Sequence, residues 1–344
     1  MGLEVDIKKK IGSFELSVSF TCDNVVTAIL GESGCGKSMT LKCIAGIETP
    51  DEGKIVLNGR VLYDSSKKIN LSPQKRNIGY MFQDYALFPN MTVKENIEIA
   101  QDGRPIDIDY LEKFNIAEIS NLYPSQLSGG QKQRTAMARM LAANPEVILL
   151  DEPFAALDSH MRWKLEQEVK RIIEKEKKPT VFVSHNRDEV YRISEYAGVM
   201  SAGILKNVMR TKQLFDNPPT AEAAIISGCK NVARAVKTDE YKVNVADWGI
   251  ELDTLVPVPF DEGYIGVRAH SFSLTDSESV KNNSIYVLNP EIVEEPFEWT
   301  ISFQASDGYE RLQWKVSKEV LRNPQEEIPG ILYINAEKLM LFNE

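Results

Sequence analysis

The stretch from Gly31 to Ser38 constrains this chain more than any other. Gly31, Glu32, Ser33, Gly34, Cys35, Gly36, Lys37 and Ser38 fit the pattern G-x-x-x-x-G-K-[ST]. Ahead of it, Val25 to Leu30 read as a buried strand; behind it, Met39 to Ala45 read as the first turns of a helix. Glycines let the backbone turn tightly and aim its N–H groups at one point. The helix adds the positive end of its dipole to the same point. The result is a cradle for phosphate, with Met39 continuing the loop into the helix. Lys37 would reach the outer phosphates of a nucleotide, and the Ser38 hydroxyl would ligate Mg²⁺.

The rest of the first two-thirds alternates strands and helices. Phe14 to Phe20 alternates apolar and polar residues, as a strand does. Lys54 to Gly59 reads as a strand and turn, Arg76 to Gln83 as a strand, and residues 91–145 as mostly helical with breaks at Gly103-Arg104-Pro105 and Tyr123-Pro124. Val147 to Leu150 and Val181 to Ser184 are short apolar runs, the pattern of parallel strands buried on both faces. Between them Leu165, Val169, Ile172 and Ile173 keep helical spacing. This order predicts an α/β domain with a mostly parallel sheet. Pro218 and Pro219 break the pattern, which places a domain boundary near residue 220. Beyond it the chain turns strand-like at 241–245, 264–268, 284–288, 299–304, 311–316 and 331–334, and a small β-rich, barrel-like or sandwich domain is expected over 221–344.

Charge and cysteine narrow the class. The net charge of −10 sits wholly in the tail: residues 231–344 hold 10 Lys+Arg against 20 Asp+Glu, and the preceding residues hold 30 of each. That balance argues against nucleic acid as a partner. Cys22, Cys35, Cys43 and Cys229 show no C-x-x-C spacing, which argues against zinc and disulfides. Cys35 sits at a helix N-terminus, where a thiol can gain acidity, but is more simply read as a small residue that happens to be Cys. No apolar run approaches the roughly 20 residues of a spanning helix. The N-terminus does not read as a signal peptide, and a cytoplasmic location is expected.

Two further motifs carry chemistry. Val147 to Leu150 ends in Asp151 and Glu152, two carboxylates at the tip of a buried strand. Asp151 would hold Mg²⁺, and Glu152 would polarise an attacking water. Leu127, Ser128, Gly129, Gly130, Gln131, Lys132, Gln133 and Arg134 form a second anion cradle at a helix start. This segment resembles the signature of ATP-binding-cassette (ABC) ATPases. The resemblance covers residues 3–220 and implies a P-loop NTPase fold with a helical signature subdomain over about 86–145.

The resemblance also implies roles residue by residue. Gln83 matches the glutamine that reaches Mg²⁺ and the attacking water. Ala155, Ala156, Leu157 and Asp158 match the loop that crosses a dimer interface. His185 matches the switch histidine that contacts the γ-phosphate, while His160 and His270 gain no support from these motifs. The family's adenine-stacking aromatic is matched by Phe14, with Ile11 as the alternative. Two chains are implied to close head to tail, each ATP lying between the Gly31–Ser38 loop of one and Ser128–Gln131 of the other.

Such an ATPase works on a membrane partner. Asp84 to Val93 resembles the groove that receives a permease helix, which implies permease subunits, an extracytoplasmic binding protein acting indirectly, and a place at the cytoplasmic face of the membrane. Lys68 to Arg76, together with tail segments at 228–231, 247–249 and 266–270, resembles molybdate or sulfate transport ATPases. The leading expectation is therefore uptake of molybdate or tungstate, with sulfate, ferric iron or polyamines as alternatives. Related importers carry a regulatory β domain, where Lys230, Arg268 and His270 could donate to an oxyanion. DNA-repair ATPases would need a long coiled coil between residues 38 and 128, which has no sustained heptads. Translation ATPases would need two cassettes and a basic surface.

Overall fold

The computed structural model describes residues 2–101, 105–155, 159–275 and 282–344, the side chains of 159–161 and 282 excepted. The chain divides into two compact units, Met1–Lys212 and Gln213–Glu344. The division thus falls at Lys212, ahead of the Pro218-Pro219 break from which a boundary at 220 was expected.

The first unit is built on one sheet of eleven strands: β1 (Leu3–Ile11), β2 (Phe14–Cys22), β3 (Val26–Leu30), β4 (Glu52–Leu57), β5 (Arg60–Asp64), β6 (Ile69–Asn70), β7 (Ile78–Met81), β8 (Val147–Asp151), β9 (Thr180–Ser184), β10 (Tyr196–Ser201) and β11 (Ile204–Arg210). Their order is β6-β5-β4-β1-β2-β11-β10-β3-β9-β8-β7. Strands β10, β3, β9, β8 and β7 are mutually parallel, while β4, β1 and β2 pair antiparallel. The sequence patterns explain the split. Every residue of β3, β8 and β9 is buried, as strands covered on both faces must be. In β1, Leu3, Val5 and Ile7 point inward while Glu4, Asp6 and Lys8 face solvent. The core joins both halves, with Leu16 and Val18 of β2, Ile29, Leu149 and Val183 in one cluster with Leu41 and Ile44.

The helices of this unit are α1 (Lys37–Ala45), α2 (Pro73–Arg76), α3 (Val93–Glu98), α4 (Ile108–Lys113), α5 (Gly129–Ala142), α6 (Ser159–Glu176) and α7 (Arg187–Ile193). Leu165, Val169 and Ile173 form the buried stripe of α6, as their spacing predicts. The stretch 91–145 is divided near both expected breaks, with α3 and α4 on either side of Pro105 and α5 beyond Tyr123-Pro124. Only α5 is long; α3 and α4 are six residues each, joined by turns and 3₁₀ segments. Each carries its own cap, Thr92 with Glu95 on α3 and Asp107 on α4, so capping fixes where each short helix starts.

Among the described residues, the second unit holds three sheets around a shared main core. Its strands are β12 (Asn231–Asp239), β13 (Lys242–Val245), β14 (Ile250–Asp253), β15 (Glu262–Val267), β16 (Phe272–Ser273), β17 (Asn282–Tyr286), β18 (Leu288–Glu294), β19 (Glu298–Gln304), β20 (Arg311–Ser317), β21 (Ile331–Asn335) and β22 (Met340–Phe342). They form β14-β13-β12-β15-β22, β16-β21-β17 and β18-β19-β20. Trp248, Phe303 and Trp314 fill the shared core. The sequence reading missed β12 because its inward residues include Ala233 and Ala235, poor strand markers, with Arg234 between them.

Candidate active site

Sheet register gathers the motifs. Leu30 pairs with Ser184, Asp151 with Val183, and Met81 with Leu150, so β3, β9, β8 and β7 end level with one another. The Gly31–Ser38 loop, Asp151 and Glu152, His185 and Gln83 leave those four ends. This is the carboxyl edge of the parallel strands, where open α/β sheets place ligands.

The loop is shaped for an anion. Gly36 precedes α1 with φ 112°, a left-handed conformation that disfavours a side chain, and no side chain caps the helix start. The first-turn N–H groups of α1 are therefore free of a side-chain acceptor and open toward the loop. Lys37 is 4% exposed; its Nζ donates to Gly31 O at 2.9 Å and Glu32 O at 2.7 Å and lies 3.8 Å from Glu152 Oε1. Cys35 is buried rather than activated: burial pushes its thiol up, ahead of the opposing pull of Lys37.

The carboxylates are held in distinct ways. Ser38 Oγ donates to Asp151 Oδ1 at 2.7 Å, and Tyr80 Oη donates to Asp151 Oδ2 at 2.8 Å. Burial and the Asp151 charge push the Tyr80 phenol up, so it stays a donor at working pH. His185 Nδ1 lies 3.1 Å from Glu152 Oε2. Glu152 itself has φ 43°, a conformation uncommon for a residue with a side chain. Tyr80 was not foreseen; nothing in the linear sequence marks it, and only the β7–β8 pairing brings it to Asp151.

A cleft of about 460 Å³ is lined by Ser33, Gly34, Gly36, Lys37, Ser38, Met39, Gln83 and Glu152, together with Ile11 and Phe14. Phe14 is half-buried and packs on the core, whereas Ile11 is 42% exposed. Both apolar candidates thus reach the cleft, Ile11 with more free surface. An adjoining hollow joins Ser38 and Gln83 to Asp151. A larger hollow of about 740 Å³ lies on the outer face of β1, β2 and β4, lined by Glu4, Asp6, Asp23 and Lys54, and no motif residue reaches it.

The second cradle stands elsewhere. Ser128, exposed, caps α5: its Oγ accepts from Gln131 N and its N–H donates to Gln131 Oε1 at 2.9 Å. Ser128, Gly129, Gly130 and Gln131 line neither hollow beside Lys37. Asp158, with Ala156 and Leu157, lies outside the described residues, as does the side chain of His160. In the second unit, Arg268 and His270 meet separate partners. Arg268 Nη2 donates to Phe215 O and sits 3.4 Å from Ser227 Oγ, His270 Nε2 lies 3.1 Å from Glu298 Oε2, and Lys230 is exposed.

Comparison with known proteins decides the family. A model of the ABC transporter family matches residues 15–155. The sulfate/thiosulfate import ATP-binding protein CysA of Thermosynechococcus vestitus is 38% identical over 68% of this chain and 72% of its own length. The chain belongs to the ABC transporter family. The molybdenum import ATP-binding protein ModC of Rhodospirillum rubrum is 33% identical over 68% of this chain and 66% of its own length. The CysA protein of Mannheimia succiniciproducens is 30% identical over 100% of this chain and 99% of its own. A dimeric ATP-binding cassette, MJ0796, in a post-hydrolysis state with ADP and Pi, superposes with a TM-score of 0.51 and 29% identity over 61% of this chain and 99% of that one.

As an ABC protein the chain works with ATP and Mg²⁺, and its residues fit both. The uncapped start of α1 and Lys37 suit phosphate. The hydroxyl of Ser38 and the carboxylate of Asp151 are hard oxygen donors 2.7 Å apart, the set Mg²⁺ prefers when phosphate oxygens complete its shell.

Proposed function

We propose that this chain is the ATP-hydrolysing subunit of an importer for an inorganic oxyanion, with molybdate or tungstate the leading cargo. The observation that carries the ATP-hydrolysing role is the convergence of Lys37, Ser38, Asp151, Glu152 and His185 at one sheet edge, with contacts of 2.7 to 3.8 Å between them, while the cargo class rests on the CysA and ModC relatives. Lys37 and the α1 N–H groups grip the phosphates. Ser38 and Asp151 hold Mg²⁺, which neutralises phosphate charge. Glu152 orients the attacking water and takes its proton; His185, beside it, faces the γ-phosphate; Gln83 reaches in from β7. Ile11 and Phe14 border the adenine.

Ser128, Gly129, Gly130, Gln131 and Asp158 act on a second copy. In this reading each subunit encloses half of each site, and head-to-tail closure completes it. That the Ser128 cradle stands away from the Lys37 cleft supports a partner's nucleotide as its ligand. The first unit acts as the ATP-binding domain and the second as a regulatory one. The dimer meets permease subunits at the cytoplasmic face of the membrane and serves an extracytoplasmic binding protein through them. Among the described residues no helix is long and apolar enough to cross a membrane. An oxyanion on the regulatory domain would have to draw Arg268 off Phe215 O and His270 off Glu298.

Sulfate is the second reading, favoured by the CysA relatives. Reconstitution with the permease and each binding protein separates the cargoes: molybdate should stimulate turnover where sulfate does not, and the reverse result selects sulfate. Glu152→Gln should still bind ATP and dimerise while turnover falls about 10²- to 10⁴-fold. Near-normal turnover in that variant defeats the assignment of Glu152.

A further inference from the structure

The backbone just after Gln83 is strained. Tyr85 has φ 64° and Ala86 φ 43°, two successive left-handed residues without a glycine. Such strain persists only where surrounding contacts impose it. Here they do. Arg139 of α5 donates to Tyr85 O at 3.0 Å and Ala86 O at 2.8 Å, and its guanidinium lies 5.2 Å from the Phe88 ring centre. The loop is therefore tied to α5.

The Tyr85 side chain lies buried beside this turn. It is 4% exposed, and its hydroxyl donates to Pro153 O at 3.3 Å. Gln133 of α5 donates through Nε2 to the same oxygen at 3.2 Å. Gln133 is 1% exposed, and its Oε1 is buried with no hydrogen-bond partner among the described residues. A fold that leaves a buried acceptor unpaired while aiming the amide N–H at Pro153 gives that contact unusual weight. Pro153 follows Glu152, whose φ of 43° is likewise left-handed. Phe154 beyond it is fully buried against Phe182. The Pro153 carbonyl is thus the point at which the loop and α5 jointly grip the backbone that carries Glu152.

Resting on the reading of Glu152 as the general base, we infer that Tyr85 and Gln133 are positioning residues for Glu152. They act through the Pro153 carbonyl, and they link the stance of α5 and the Gln83 loop to the carboxylate. Neither residue touches the nucleotide in this account. A shift of α5 relative to the sheet loosens the two bonds on Pro153 and lets the Glu152 backbone relax from its strained conformation.

The test uses the full-length chain with Tyr85→Phe and Gln133→Met, alone and combined. Turnover, KM for ATP, binding of a fluorescent ATP and thermal midpoint are measured for each. Loss of one of two hydrogen bonds on the carbonyl should lower kcat about three- to tenfold. KM and nucleotide affinity should stay within about twofold, because the binding groups are untouched. In a Glu152→Gln background, Tyr85→Phe should leave the residual single-turnover rate unchanged, since the group it positions is gone. Unchanged kcat in folded Tyr85→Phe overturns the inference, and so does an equal loss in the Glu152→Gln background. Tyr85→Phe removes a single oxygen, so the result stands even if Gln133→Met does not fold. Normal turnover in Glu152→Gln alone would instead defeat the underlying reading of the base.

Discussion

Arg76 offers the sharpest test of how the nucleotide helix is held. It is fully buried, and its guanidinium donates to Leu71 O at 2.9 Å, Cys43 O at 2.9 Å, Ile44 O at 2.7 Å and Asn70 Oδ1 at 2.9 Å. Two of these acceptors are the last carbonyls of α1, so a cation sits at the negative end of the helix whose other end carries Lys37 and Ser38. Gly46, with φ 80°, makes room: a Cβ there would lie 2.5 Å from Arg76 Nε. Arg76→Met keeps the length and loses every bond. Cys43 O retains the N–H of Gly46, and exposed Asn70 can turn to water. Ile44 O and Leu71 O lose their guanidinium donor, at about 1–3 kcal/mol each. Relief from burying a charge offsets part of that sum. A net loss of about 3 kcal/mol should lower the melting midpoint of a unit this size by about 6–12 °C. Calorimetry on the full chain should show the first unit's transition falling and the second unit's staying put. A midpoint within about 2 °C of the parent would refute the account of Arg76 as the anchor of α1.

Other outcomes follow from contacts around the site and in the tail. Tyr80→Phe removes the donor on Asp151 Oδ2 and leaves Ser38 on Oδ1. The Mg²⁺ concentration for half-maximal turnover should rise about tenfold while kcat at saturating Mg²⁺ is largely kept; an unmoved Mg²⁺ dependence would count against Tyr80 as its support. Glu298 is held below its ordinary 4.5, first by the hydrogen bond from Lys315 and then by His270. Its contribution to stability is complete above that ordinary value and is lost as pH falls through the lowered one. Lys315→Met should therefore lower the tail's melting midpoint at neutral pH and flatten its decline toward acid; parallel pH curves for parent and variant would contradict this.

Much of the site was legible because its parts are local. Gly31 to Ser38 needs only a strand before it and a helix after it, and the structure supplies β3 and α1. The same holds for Asp151 at the end of β8 and Glu152 after it, and for Ser128 opening α5 with Gln131 three residues on. Helix caps were less legible than helix breaks: Gly103, Pro105 and Pro124 mark the interruptions in 91–145, whereas the starts set by the Thr92–Glu95 box and the Asp107 cap were not foreseen. Strand β12 escaped notice because alanines fill its inward positions.

The sequence by itself determined the chemistry that the chain can offer, since phosphate cradle, paired carboxylates and signature are each encoded within a few neighbouring residues. Tertiary structure decided which groups meet. The level ends of β3, β9, β8 and β7 bring Lys37, Glu152, His185 and Ser38 together across as many as 148 positions of chain, and they recruit Tyr80 as well. Tertiary structure also held Ser128 away from that cleft and converged Tyr85 and Gln133 on one carbonyl. The physical reason is strand register. A short-range motif is set by backbone geometry within a few residues, whereas the contact between two motifs depends on how distant strands align, and that alignment is fixed only when the whole core packs.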